Sequence, residues 1–291
     1  MASRQRHAPS ARALCLIACT FALGVAVPAA QADRIIHVNV MDAETRPVKD
    51  LTAADFIVRE DGVVRDIVDV RVAGEPLIVS VVVDAPPEAR EIRIALSAFA
   101  TELLSASPES QISIGEFGGP VTANARFTSS LSDFEKTIPK AIPRIDGASS
   151  LSQALVDAGR ELATRPGARK AIVSINVEPS DDASPLRAKV VADQIQRSRA
   201  SLWAISIVPG AARNQNRDLL LLGIANNSGG LRTTVPSLAA LEPALRNVAQ
   251  HMLFTYAVTF KPGESIGPAK PPHVLVNRQG ARAMTLIWPP K

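Results

Sequence analysis

The chain has 291 residues, of which 46% are apolar, 21% charged and 4% aromatic, with 32 Lys and Arg against 28 Asp and Glu. At roughly 100 to 200 residues per domain, this length admits one large domain or one large and one small. With one tyrosine, two tryptophans and no Arg/Lys stripe set among aromatics, the sequence excludes the electrostatic footprint of nucleic-acid binding.

Ala13 to Val27 is the one long apolar run. It is too short for a comfortable membrane span and lies behind Arg4, Arg6 and Arg12. It ends in the small-x-small triplet Ala30-Gln31-Ala32, so residues 1–32 are expected to be a cleaved signal peptide, with a mature chain starting at Asp33. The protein is then exported, to the periplasm or beyond, with no transmembrane span in the mature chain. Loss of three arginines and no acid brings the net charge from +4 to near neutrality. Both cysteines, Cys15 and Cys19, leave with the leader, which removes disulfides, thiolate nucleophiles and sulfur-ligated metals from the mature chain. An alternative rests on Leu16-Ile17-Ala18-Cys19, which resembles a lipobox and would make Cys19 a lipidated N-terminus. The apolar run continues past Cys19, where an acylated chain turns polar.

Residues 33–75 read as a small β unit. Ile35 to Val40 alternates apolar and polar residues, and Phe56 to Glu60, Asp61-Gly62 and Val63 to Val70 read as a β-hairpin with a two-residue turn. Thr52 is placed to cap a brief Ala-Ala helix. From residue 76 to 252 the pattern changes. Leu77 to Val83 is almost continuously apolar and β-branched, as a strand covered on both faces must be. Helix Glu88 to Ser105, strand Gln111 to Phe117, an edge strand near Val121 to Phe127, and helices Leu131 to Ile142 and Ser150 to Thr164 follow. Strand Ala171 to Val177, helix Pro185 to Ala200, strand Ser201 to Val208, helix Arg217 to Asn226, strand Leu231 to Thr233 and helix Leu238 to His251 complete the series. Such alternation predicts an α/β fold, a doubly wound, mostly parallel sheet with helices on both faces. In the tail, residues 253–291, Leu253 to Phe260 and His273 to Trp288 alternate again and are expected to form a hairpin that packs with the first β unit.

Val38-Asn39-Val40, Pro47-Val48, Leu51, Asp55-Phe56-Ile57-Val58, Glu60-Asp61-Gly62 and Pro76-Leu77, before a buried strand ending in Asp84, resemble a bacterial family related to von Willebrand factor type A domains. Gly147-Ala148-Ser149-Ser150-Leu151, Arg169 to Val173 and Tyr256 fit the same pattern, so the likeness covers nearly the whole mature chain. The resemblance implies a divalent cation at the carboxyl edge of the sheet, where ligands of open α/β folds bind. Its family ligands are an Asp-x-Ser-x-Ser motif, a threonine and a later aspartate. Here Asp84 matches, while the serine positions read Pro86 and Glu88, the threonine position Ser149 and the later aspartate position Val177. Proline and valine offer no side-chain oxygen to a cation that needs near-octahedral oxygens, so the site is expected to be degenerate, with no cofactor. The alternative is a shifted set, Asp84, Glu88, Ser149, Glu178 and Asp181, with Asp182 beside it, holding Mg or Ca. A plainer account has Asp181-Asp182 capping the helix near Pro185 and Glu88 favoured by a helix dipole.

No nucleophile elbow, phosphate-binding loop or His-Glu-x-x-His motif is present, and Gly115-Glu116-Phe117-Gly118-Gly119 has the wrong spacing and an acid where phosphate would sit. His37, His251 and His273 lack partners at ligand spacing. Arg187, Lys189, Arg197 and Arg199 read as a solvated helix face, and Asn226 to Gly230 as a helix stop. The expected function is therefore an exported, non-enzymatic binding or scaffold protein that engages another protein or an envelope component through the carboxyl edge of its sheet. A metal-dependent adhesion module is the alternative; an exported hydrolase is a third reading.

Overall fold

A computed structural model describes residues 32–84, 90–117, 126–141, 149–167, 169–178, 181–182, 184, 186–210, 214–263 and 271–285. The first β unit forms as expected up to its turn. Strand β1 spans Arg34–Met41, and Thr52 and Asp55 form a capping box around a short 3-10 turn, Ala53–Asp55. Strands β2 (Phe56–Glu60) and β3 (Val63–Arg65) pair across Asp61-Gly62, whose φ values of 51° and 81° suit the tight hairpin. The expected strand Val63 to Val70 breaks at Asp66: β3 stays with β2, whereas β4 (Ile67–Val72) moves to another sheet. Alternation specifies which residues share a strand face, but it does not name the partner strand.

The parallel sheet consists of β5 (Leu77–Val83), β6 (Gln111–Glu116), β7 (Arg169–Val177), β8 (Ala200–Ile207) and β9 (Arg232–Val235), in the order β6-β5-β7-β8-β9. Its helices are α1 (Arg90–Ala106), α2 (Leu131–Ala141), α3 (Leu151–Thr164), α4 (Ala188–Ser198), α5 (Gln215–Asn227) and α6 (Leu241–Leu253). Strand alternation divides the core in two. Val79, Val81, Val173, Trp203 and Ile205 meet α1, α2 and α6, whereas Val82, Ile172, Leu202 and Ala204 meet α3, α4 and α5. The α5 stop brings Gly230 so close to β8 that an added Cβ would lie 1.9 Å from the Leu202 carbonyl oxygen, a contact only glycine permits. Of the expected edge strand near residues 121–127, residues 121–125 lie outside the described residues; Thr128 bridges Ile112 antiparallel.

The tail does not fold back as the expected hairpin. Strand β10 (Tyr256–Phe260) lies between β1 and β4, β11 (His273–Val276) adds to β2, and β12 (Arg282–Thr285) adds to β1. Two small antiparallel sheets result, ordered β12-β1-β10-β4 and β11-β2-β3. Val38, Phe56, Val58, Tyr256, Val258 and Val274 form their shared core. The separation of the tail strands is again a matter of partner choice, since each alternating segment buries its apolar face equally well against another chain segment.

Candidate functional site

The carboxyl ends of β5 and β7 and the start of α5 converge on one buried cluster. Asp84 follows β5, and its amide donates to the Ile175 carbonyl at 2.8 Å, so the chain is still held by the sheet where the carboxylate emerges. Glu178 follows β7 and is held in the same way by its amide bond to Ile207 O at 2.9 Å. Into the space between them α5 inserts Arg217, whose side chain is 1% exposed. Arg217 Nη2 donates to Asp84 Oδ2 at 3.1 Å and to Asn176 Oδ1 at 3.4 Å, while Nε lies 3.7 Å from Glu178 Oε1. The guanidinium carbon also sits 5.7 Å from the Phe117 ring centroid, a distance at which a cation is attracted to the ring face.

Local capping holds the arginine there. Asn214 accepts from the Arg217 amide at 3.1 Å, its own amide donates to Glu178 Oε2 at 3.4 Å, and its Nδ2 donates to Asp181 Oδ1 at 2.7 Å. One N-cap thus orders the helix start and both nearby acids. Asp84 also accepts from the Val177 amide at 3.3 Å.

Asp182 corrects the capping expected from the sequence. Its carboxylate accepts from the amide of Ser152 at 3.0 Å and from the Ser152 hydroxyl, and Ser184 Oγ accepts from the Gln153 amide at 3.2 Å. These groups cap α3 and not α4, whose N-cap is Arg187 without a side-chain bond. Ser149 and Asp182 form a parallel bridge that places the acid over the start of α3. A carboxylate near a helix in sequence caps whichever helix N-terminus it meets in space.

Of the five residues considered as a shifted ligand set, the structure gathers Asp84 and Glu178 around Arg217. Asp181 sits beyond them on Asn214, and Ser149 is buried beside Asp182, its hydroxyl without a partner among the described residues. Glu88 lies outside the described residues. Among the described residues no group of three or more His, Cys, Asp or Glu is gathered to hold a metal ion. The cluster does not fit a resident dication, because a fixed guanidinium already stands between its two carboxylates and would repel one. Sequence reasoning missed Arg217 and Asn176. No local signal marks Arg217, which stands among the polar residues Gln215, Asn216 and Asp218 in the first turn of α5; only the acids that other elements bring to it set it apart.

The buried His251 and the half-buried His37 serve elsewhere. His251 Nε2 lies 2.9 Å from the Thr45 carbonyl and its ring lies 5.4 Å from Trp203, while His37 Nε2 is 3.8 Å from Glu75. Burial lowers both pKa values from the usual histidine range.

No family model and no curated protein matches the chain. Solved structures do. Proximal thread matrix protein 1 from the mussel byssus, in a form with a zinc-occupied MIDAS motif, has a TM-score of 0.52 at 15% identity over 67% of this chain and 50% of that one. The chain has a von Willebrand factor type A-like fold. A second structure of the mussel protein gives a TM-score of 0.51 at 14% identity, again over 67% of this chain and 50% of that one. The chain therefore spans about half the length of the mussel protein it matches. A von Willebrand factor type A protein from Catenulispora acidiphila is matched over 87% of this chain and 74% of that one, at 12% identity and a TM-score of 0.47. In this type A-like fold the cluster around Arg217 lies at the carboxyl edge of the parallel sheet, while the two small antiparallel sheets are built from both ends of the described chain. Among the described residues no helix is long and apolar enough to cross a membrane.

Proposed function

We propose that this protein is an exported, non-enzymatic binding module that engages a protein or envelope partner through the carboxyl edge of its type A-like sheet, without a divalent cation. The observation that carries the reading is the buried guanidinium of Arg217, ion-paired to Asp84 and close to Glu178. The mussel matrix protein holds zinc in its MIDAS motif; here an internal cation of fixed charge orders the edge instead. A buried, always-charged arginine needs no metal supply and is unaffected by chelators. The charge pattern supports a positioning role for Arg217.

The test has two parts. Saturating magnesium, calcium or manganese should leave the melting temperature unchanged, because only a ligand that binds the native state raises it. Capture of a partner from the native envelope fraction should be equal in magnesium and in chelator, and should fall with Asp181→Arg at the exposed rim. The second reading, a cation-dependent site, draws on the unpaired, buried Ser149 hydroxyl. A melting increase in magnesium that disappears in Asp84→Ala would put that reading in place of the first.

A further inference from the structure

At the opposite end of the parallel sheet, the amino ends of β5, β7 and β8 open into a cleft of about 610 Å³ bounded by β1 and the end of α6. Its size lies within the range of small-molecule sites, roughly 300 to 1,000 Å³. Its charge is one-sided. Among the described residues, four cations, Arg34, Arg169, Lys170 and Arg199, line it against one carboxylate, Glu75. Glu75 is already engaged by Arg71 at 2.8 Å, and Arg34 by Glu60.

The remaining cations are not neutralised. Arg169 spends its donors on the carbonyls of Ala73 at 3.0 Å, Glu75 at 2.9 Å and Met252, which orient it without cancelling its charge. Lys170 and Arg199 adjoin each other at the start of the β7–β8 pairing, and among the described residues neither side chain has an ion pair or hydrogen bond. Arg199 closes α4 at φ 58°, a left-handed position that helix ends commonly give to glycine. Burial, and then the neighbouring Arg199, lowers the pKa of Lys170; burial lowers that of Arg169 to about 10; and burial, then Arg169, lowers that of His37. Burial weakens all three basic groups, and a neighbouring cation adds to this for Lys170 and His37, so an anion placed among them would reverse both effects. Ile36, Leu77, Met252 and Phe260 supply an apolar wall.

We propose that this cleft binds a small organic oxyanion, a carboxylate or phosphate ester, with its acidic group held by Lys170 and Arg199 and its apolar body against Leu77 and Phe260. Charge-assisted bonds of this kind are the strong ones, and a partly apolar wall rewards an apolar body.

Calorimetric titration of the purified chain with phenyl phosphate and, separately, with benzoate at fixed ionic strength tests the assignment and tells the two acid types apart. Saturable binding of at least one probe is expected. The Lys170→Gln/Arg199→Gln double variant, whose melting temperature confirms folding, should weaken it at least about tenfold. If the double variant does not fold, Lys170→Gln alone is measured and should weaken binding in the same direction. No saturation by either probe up to about 10 mM, or affinity unchanged in the folded variant, overturns the proposal.

Discussion

Arg217 is where charge and packing meet most sharply. Its side chain is 1% exposed, and those of Asp84 and Glu178 are 10% and 0% exposed. Truncating one partner of a buried pair leaves the other charge in a poor solvent, so Arg217→Met should cost about 3–5 kcal/mol in urea unfolding. Arg217→Lys should recover only part of this, because an ammonium cannot present the planar fork that reaches Asp84 and Asn176 together. His251 makes a second residue-scale prediction. With its Nε2–H donated to Thr45 O, its Nδ1 is buried and unpaired, so protonation would place a charge without a partner. The unfolded chain binds that proton near the ordinary value of 6.5, and the native one only at lower pH. Stability from this residue is therefore complete above pH 6.5 and lost as pH falls below it, and His37 acts in the same direction. The melting temperature should drop between about pH 7.5 and 5, and drop less in His251→Gln.

Helix α3 shows how an element depends on residues far along the chain. Its first free amides are satisfied by Asp182 and Ser184, which lie well beyond its own C-terminus at Thr164. Asp182→Ala should cost about 1 kcal/mol and raise amide exchange at the start of α3 while leaving α4 unchanged. A loss confined to α4 would restore the capping expected from sequence proximity. Helix α5 is governed by the same logic. Its Asn214 cap and its buried Arg217 serve the carboxyl edge, while Gly229 at φ 76° and the close approach of Gly230 to β8 fix its exit.

Across the molecule, Ala32–Lys291 forms one compact unit. The small sheets are tied to the α/β layers by buried polar groups: Asn39 Nδ2 donates to Gly229 O at 2.9 Å, and the Thr255 hydroxyl donates to Asn39 Oδ1 at 2.8 Å. Tyr256 joins the tail to the first β unit, accepting from the Leu51 amide at 3.1 Å and donating to Val48 O at 3.0 Å. Strands β11 and β12 pair with β2 and β1 respectively, each adding an outer strand to one small sheet. Removing residues 271–285 should therefore strip an edge from both sheets at once. Hydrogen exchange should then accelerate in β1 and β2 but not in β5, β7 and β8, whose partners are retained. Uniform acceleration would mean that the small sheets and the parallel sheet open as one cooperative unit.

The parallel sheet was legible because a strand buried on both faces needs a run such as Leu77 to Val83, and the Asp61-Gly62 hairpin because its turn depends on two adjacent residues reaching positive φ. These are local requirements, carried by neighbouring residues. Asp84 and Glu178 could be marked as candidates for the same reason, since each ends a strand at the edge where such folds place their sites. Tertiary structure alone decided what lies between them. Arg217 is 133 residues from Asp84, and nothing in its own helix distinguishes an arginine that turns inward from one that faces solvent. The destinations of β4, β11 and β12 were settled in the same way, because an alternating segment encodes a buried face and leaves its partner to whichever surfaces the rest of the chain brings within reach.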